Sequence, residues 1–219
     1  MVENTKKIVY VTSARLPTEK AHGLATVKIC EAFAGLGYDV DCVIPLLWRR
    51  REEKDIFEYY DLKNKFNIIK IACVDFVPFG IFEKVAFLLQ SLSFSLFSMV
   101  FAFLKYRKRM KEAIFFSHDY IPLYFMTFLP VKIYYDIHHF PGDNFMYRRV
   151  IEKSFGFAVQ TKWKAVSLCE KYKISPDKIV YWPNGTDIEN FNISSSVDEA
   201  RVALVIPLDK NVVMYTGQL

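Results

Sequence analysis

KIVYVTSARLPTEKAHGLATVKICEAFAGLGYDVDCVIP, residues 7–45, decides the fold. It opens with an apolar, β-branched run (7–13) and continues through a polar loop (14–23). Leu24, Val27, Ile29, Ala32, Phe33 and Leu36 then recur at helical spacing. Gly37 stops the helix, because only glycine enters the left-handed conformation without strain, and a second apolar run follows at 39–45. This is a β-α-β unit, whose two strands must lie parallel.

Outward from that unit the same alternation repeats. Apolar runs stand at 67–74 (NIIKIACV), 113–118 (AIFFSH), 132–139 (KIYYDIHH), 155–161 (FGFAVQT) and 178–184 (KIVYWPN). Most are continuous rather than alternating, as strands buried on both faces require. The expected fold is α/β: a Rossmann-like, doubly wound, mostly parallel sheet. Such sheets bind ligands outside the carboxyl ends of their strands. The loop at that end of the first strand is longer than usual and carries Pro17, Glu19, Lys20 and His22.

Toward the end of the chain, SSSVD (194–198) reads as a polar linker, 197–205 as a short helix and 211–217 (NVVMYTG) as an eighth strand. The expected division is one domain over 1–195, with 196–219 beginning a second domain whose bulk is missing.

The 219 residues are 52% hydrophobic and 24% charged, the balance of a folded globular protein. Aromatics reach 16%, with 20 Phe and 13 Tyr. The formal charge of +5 is mild and no broad basic stripe appears, so nucleic acid is not an expected partner. Cys30, Cys42, Cys73 and Cys169 form no C-x-x-C pair and read as reduced core residues. The polar opening residues lack a signal-peptide core, which makes the cytoplasm the expected location.

One stretch, 85–104 (VAFLLQSLSFSLFSMVFAFL), has no charged residue and matches a bilayer in length. A crossover helix is needed here to join the third strand to the fourth, which argues against a membrane span. Two readings remain. The helix is buried in the domain, or its outer face, followed by Lys105, Arg107, Lys108, Arg109 and Lys111, rests on anionic lipid.

No G-x-S-x-G elbow, phosphate-binding Walker loop or G-x-G-x-x-G fingerprint is present, which disfavours serine hydrolases, P-loop enzymes and nicotinamide dehydrogenases. Polar residues gather instead at strand ends: Ser13 and Arg15, His118 and Asp119, Asp136 with His138 and His139, Thr161, then Asn184, Gly185 and Asp187. Each also has a local reading. His138 could cap backbone groups, Gly185 could serve a turn closed by Asn184 and Asp187, and Arg15, Lys20 and His22 could be solvated loop residues.

Three segments together resemble family-four retaining glycosyltransferases: 7–45, YYDIHHF (134–140), and KIVYWPNGTDIENF (178–191) followed by EARVALVIPLDKNVVMYTGQL (199–219). The last pair is the most specific, since P-N-G-x-D-x-x-x-F followed by a helix, a proline and Y-x-G is similar to that family's passage between domains. The resemblance implies the amino-terminal, acceptor-side half of a two-domain GT-B fold. It implies a nucleotide-sugar co-substrate with no other cofactor and no metal, and a carboxy-terminal donor-binding domain as partner.

His138 falls on the family's functional histidine, with His139 as the competing alignment. Ser13, Arg15, Gly23, Asp119, His139, Thr161, Asn184, Gly185 and Asp187 are the implied substrate-binding set. Gly23 stands alone where many members carry a glycine pair. The implied reaction moves a sugar to a saccharide or lipid-linked acceptor, in cell-surface polysaccharide or glycolipid synthesis, with the stretch 85–111 touching an anionic membrane from its inner face. The chain alone is expected to be inactive. A non-catalytic membrane or protein-interaction module, and half of a nucleotide-sugar epimerase, are the alternatives.

Overall fold

A computed structural model describes residues 6–48, 55–75, 83–140, 144–185, 188 and 194–215. The chain divides into two compact units, 1–183 and 184–219, each described by itself.

The first unit is built on seven parallel strands: β1 (Lys7–Val11), β2 (Asp39–Leu46), β3 (Asn67–Ala72), β4 (Ile114–Ser117), β5 (Lys132–Ile137), β6 (Gly156–Val159) and β7 (Ile179–Tyr181). Their order across the sheet is β3-β2-β1-β4-β5-β6-β7. Every expected apolar run of this unit is therefore a strand. Central strands are buried along nearly their whole length, whereas β3 and β7, at the sheet edges, are partly exposed. The strand order reverses between β1 and β4, which pair directly through Ile8–Ile114, Val9–Phe115 and Tyr10–Phe116.

Side chains alternate between the two faces of a strand, so β1 feeds two cores. Val9 and Val11 join Phe115, Ile133, Tyr135 and Phe157 under α3 (Glu83–Tyr106), α4 (Tyr120–Met126), α5 (Phe145–Lys153) and α6 (Lys162–Tyr172). Ile8 and Tyr10 join Val40, Cys42, Ile44 and Phe116 under α1 (Ala21–Gly35) and α2 (Ile56–Tyr59). The sheet is thus doubly wound. All four cysteines are free, and Cys30, Cys42 and Cys73 are buried.

Two expectations need correction. The buried face of α1 is Gly23, Thr26, Val27, Cys30 and Glu31, while Leu24 and Leu36 are exposed at 47% and 74%. Of the six residues whose spacing marked the helix only Val27 is buried, with Ile29 and Phe33 half-buried, and the absent side chain at Gly23 leaves room for Leu16, Thr18 and Tyr60 against the first turn. A Cβ at Gly23 would lie 2.3 Å from Thr18 Cγ2 and 2.9 Å from the Tyr60 hydroxyl. Gly37 ends the helix as expected, at φ +84°.

In the second unit a helix spans Val197–Ala203, held by a capping box between Ser196 and Glu199. Residues 211–215, expected as a strand, are in no regular element. A strand exists through its ladder of hydrogen bonds, and the described residues of this unit offer no second strand to pair with. The segment before it is anchored otherwise: Arg201 Nη1 donates to the carbonyls of Pro207, Leu208 and Lys210 at 3.0, 2.9 and 3.1 Å.

Candidate functional site at the sheet's carboxyl edge

Where the strand order reverses, the helices following β1 and β4 leave on opposite faces and open a crevice. The residues just past β1 and β4 are fastened to each other there. Asp119 Oδ2 accepts from Thr12 Oγ1 at 2.8 Å and from the Ser13 amide at 2.7 Å. Ser13 Oγ lies 3.0 Å from Ser91 Oγ, which ties the same point to α3. Asp119 is therefore a brace, with its other oxygen turned toward His118, 3.4 Å away.

His118 Nδ1 is 2.7 Å from the Tyr10 hydroxyl. Burial pushes the Tyr10 pKa well above its ordinary value, so the hydroxyl keeps its proton and donates to Nδ1. The second ring nitrogen then carries a hydrogen toward Asp119. Around His118 stand two further imidazoles, with ring centroids at 5.6 Å for His138 and 6.4 Å for His22. Burial lowers the His22 pKa and the neighbouring His118 lowers it further, against the pull of Asp119. His22 is thereby held toward its neutral form.

His138, just past β5, is held by a closed loop of hydrogen bonds. Its Nε2 lies 2.8 Å from Oδ2 of the buried Asp136. The other oxygen of Asp136 accepts from Gln160 Nε2 at 2.5 Å. Gln160 Oε1 accepts from Lys164 Nζ at 2.7 Å, and the same ammonium donates to the carbonyls of His138 at 2.6 Å and Ile137 at 3.1 Å. These three acceptors use all the N–H groups of the lysine. Burial lowers the Lys164 pKa, with Asp136 opposing it.

A carboxylate only accepts, so Nε2 of His138 donates to it, and in the neutral ring Nδ1 is the nitrogen that presents a lone pair. The His138 side chain is 28% exposed, so that lone pair belongs to a ring open to solvent. The arrangement gathers three imidazoles, with His138 oriented by Asp136 and His22 held toward its neutral form. Among the described residues no cluster of three or more His, Cys, Asp or Glu side chains is placed to hold a metal ion.

The remaining expected residues fall as follows. Arg15 Nη2 donates to Gln90 Oε1 at 2.5 Å and its guanidinium sits 5.9 Å from the Phe87 ring, which places it at the α3 side of the crevice. His139 is exposed, outside the Asp136 network that holds its neighbour. Thr161 caps α6, accepting from the Lys164 amide, and Gly23 packs against Thr18 and Tyr60. Asn184 and Gly185 are exposed and belong to the second unit. Asp187 lies outside the described residues.

Tyr10, His118, Asp136, Gln160 and Lys164 were not in the expected set. His118 and Asp136 had a usable signal as polar residues at strand ends, and Asp136, two residues before His138, also shares its face of an extended segment.

No family model matches the chain, and no curated protein matches it. Solved structures do. A glycosyltransferase from Rickettsia africae superposes with a TM-score of 0.59 at 13% identity, covering 94% of this chain and 51% of its own. The catalytic domain of starch synthase IV from Arabidopsis thaliana, bound to ADP and acarbose, gives 0.55 at 11% identity, covering 88% and 54%. A sucrose-phosphate synthase structure from Thermosynechococcus elongatus gives 0.54 at 10%, covering 91% and 96%.

What these likenesses show is the fold: a Rossmann-like, doubly wound parallel sheet shared with these glycosyltransferase structures. This chain spans about half the length of the Rickettsia and Arabidopsis proteins.

Proposed function

We propose that this chain is the acceptor-side, amino-terminal half of a glycosyltransferase that moves a sugar from a nucleotide-sugar donor to a saccharide or lipid-linked acceptor. The observation that carries the reading is His138 at the carboxyl edge of the sheet, oriented by the buried Asp136 and beside His118, which follows a strand at the point of reversal. The motif order of a family-four, retaining enzyme supports the finer assignment. Cell-surface polysaccharide or glycolipid synthesis, at the cytoplasmic face of a membrane, is the setting we infer.

In this reading His138 Nδ1 accepts a hydroxyl proton from the sugar or the acceptor and fixes its angle of approach. Asp119 and Ser13 hold the opposite wall in place. A second Rossmann-like domain supplies the donor site, where cationic side chains and helix amino termini stabilise the departing diphosphate without a metal. Arg15, Thr161, Asn184, Gly185 and Asp187 remain candidate contacts for substrate. The fold's solved examples favour a transferase over an interaction module or an epimerase half.

The test is a transfer screen of the full-length protein against a panel of nucleotide sugars, with His138→Ala beside the wild type. Turnover should fall by about 100-fold or more, the range for loss of a positioned proton acceptor, while the melting temperature is retained. A wild type that turns over none of the donors overturns the reading.

A further inference from the structure

The helix α3 turns a continuous apolar stripe to solvent. A surface helix ordinarily turns its apolar stripe to the core and its polar side chains to water. Here the buried residues include Gln90, Ser91, Ser95 and Ser98, at 2% exposure or less. The outward stripe is Val85, Leu89, Leu96, Val100, Phe103 and Leu104, with Phe97 along its edge, each between 42% and 61% exposed. Their spacing of three, four and seven residues keeps them on one side, over about 27 Å of helix at 1.5 Å per residue.

The inward polar face carries its own penalty. Among the described residues Gln90 Nε2 and Ser98 Oγ are buried with no hydrogen-bond partner. The same inward face carries Ala86, Phe94, Ala102 and Tyr106 into the core, so α3 is apolar both inward and outward, and packing within the described residues leaves the outer stripe uncovered. The helix is long and apolar enough to cross a membrane by length and composition. It is instead the crossover between β3 and β4, with both ends fastened to the sheet. At the carboxyl edge Ser91 meets Ser13 and Gln90 meets Arg15; at the amino edge Lys105 Nζ lies 3.0 Å from the buried carboxylate of Asp41.

Charge selects the occupant. No acidic residue occurs from Lys84 to Lys111, and beyond Lys105, which is held by Asp41, Arg107, Lys108, Arg109 and Lys111 stand exposed just past the apolar stripe. Apolar side chains at acyl depth with cations at the phosphate level are the combination that holds a peripheral helix on an anionic bilayer.

We propose that the outer face of α3 docks on an anionic lipid bilayer and, resting on the transferase reading for its consequence, brings the crevice edge at Arg15 and Ser13 to the membrane so that the acceptor is a lipid-linked saccharide. The amino-terminal end of α3 is the end nearest the site, so docking presents that edge to amphiphilic substrates.

The test is flotation of the full-length protein with phosphatidylcholine vesicles, with and without phosphatidylglycerol. Three proteins are compared: wild type, Phe97→Glu with Phe103→Glu, and Arg107→Glu with Lys108→Glu. The wild type should float at least tenfold more with the anionic vesicles. The aromatic variant should lose flotation, and the charge variant should lose its preference for anionic lipid. Both alter exposed side chains, and circular dichroism melting confirms that each stays folded.

Transfer to a water-soluble acceptor should be unchanged in the aromatic variant while transfer to a lipid-linked acceptor falls. Vesicle binding without turnover of any donor would sink the transferase reading and leave the docking face standing. A folded wild type that floats with neither vesicle overturns the docking. So does one that sediments as a dimer which Phe97→Glu with Phe103→Glu dissociates, with no flotation: the face then belongs to a second copy.

Discussion

At the scale of single residues, Asp136 and Asp41 are both buried carboxylates, yet they do different work. Asp136 fixes the tautomer of His138, so Asp136→Asn replaces an obligate acceptor with a group whose amide can donate to Nε2 and shift the lone pair there from Nδ1. Turnover should drop about 100-fold or more with little change in urea midpoint, and the His138 ring nitrogens should exchange roles in a nitrogen-15 spectrum. Unchanged turnover and an unchanged tautomer would sink the assignment.

Asp41, at the amino edge, accepts from Asn67 and Tyr106 and pairs with Lys7 at 2.7 Å and Lys105 at 3.0 Å. Burial alone would raise its pKa, but the bonds from Lys7, Tyr106, Asn67 and Lys105 overcome this and bring it down to about 2. A carboxylate depressed on folding stabilises the protein above its unfolded pKa of about 3.9 and loses that stability as pH falls toward the folded value. The shift corresponds to about 2 kcal/mol. Urea unfolding should show that much lost by the wild type between about pH 5 and pH 2 on this account, and Asp41→Asn should flatten that part of the profile.

At the scale of elements, α3 yields a prediction that runs against the usual direction of core mutations. Ser98 is 1% exposed, and its Oγ has no partner among the described residues. Removing an unsatisfied buried hydroxyl relieves a desolvation cost, so Ser98→Ala should stabilise the protein by about 1 kcal/mol in urea unfolding. A loss of stability would mean that the hydroxyl has a partner after all.

The same element shows where sequence reading stops. Its length, its uncharged run and its place between β3 and β4 were legible from composition and alternation alone. Which face looked outward was not: Gln90 and the serines share one side, the side ordinarily turned to water, and only packing against the sheet and α4 turns them in. In α1 the helix was legible, but its buried face, with Gly23 packed against Thr18 and Tyr60, was not. The strands were the clearest signal because parallel strands buried on both faces read as unbroken apolar runs.

At the scale of the whole molecule, the site depends on strand order. Ser13, Asp119 and His138 come from the ends of β1, β4 and β5, which are neighbours in the sheet though far apart in the chain. Strand-end polarity marked them individually in the sequence. Gln160 and Lys164 stayed hidden because nothing local distinguishes them; they matter because β6 pairs with β5 and brings them beside Asp136.

The half-length likeness to the Rickettsia and Arabidopsis proteins sets the last expectation. In the proposed enzyme this half orients the acceptor, while stabilisation of the leaving diphosphate comes from a second domain. Loss of even one preorganised donor to a developing charge lowers turnover by about 100- to 1,000-fold, and here the whole set would be absent. These 219 residues alone should therefore fold, bind acceptor through the crevice and give no measurable transfer. Joined to a second Rossmann-like domain, the same residues should turn over the donor, and His138→Ala should abolish the gain. Acceptor binding is read by calorimetry on the short chain and transfer by release of nucleoside diphosphate from both forms. Equal rates from the two forms would mean that the chemistry lies entirely within the crevice at β1, β4 and β5, and that the second domain serves only to retain the donor.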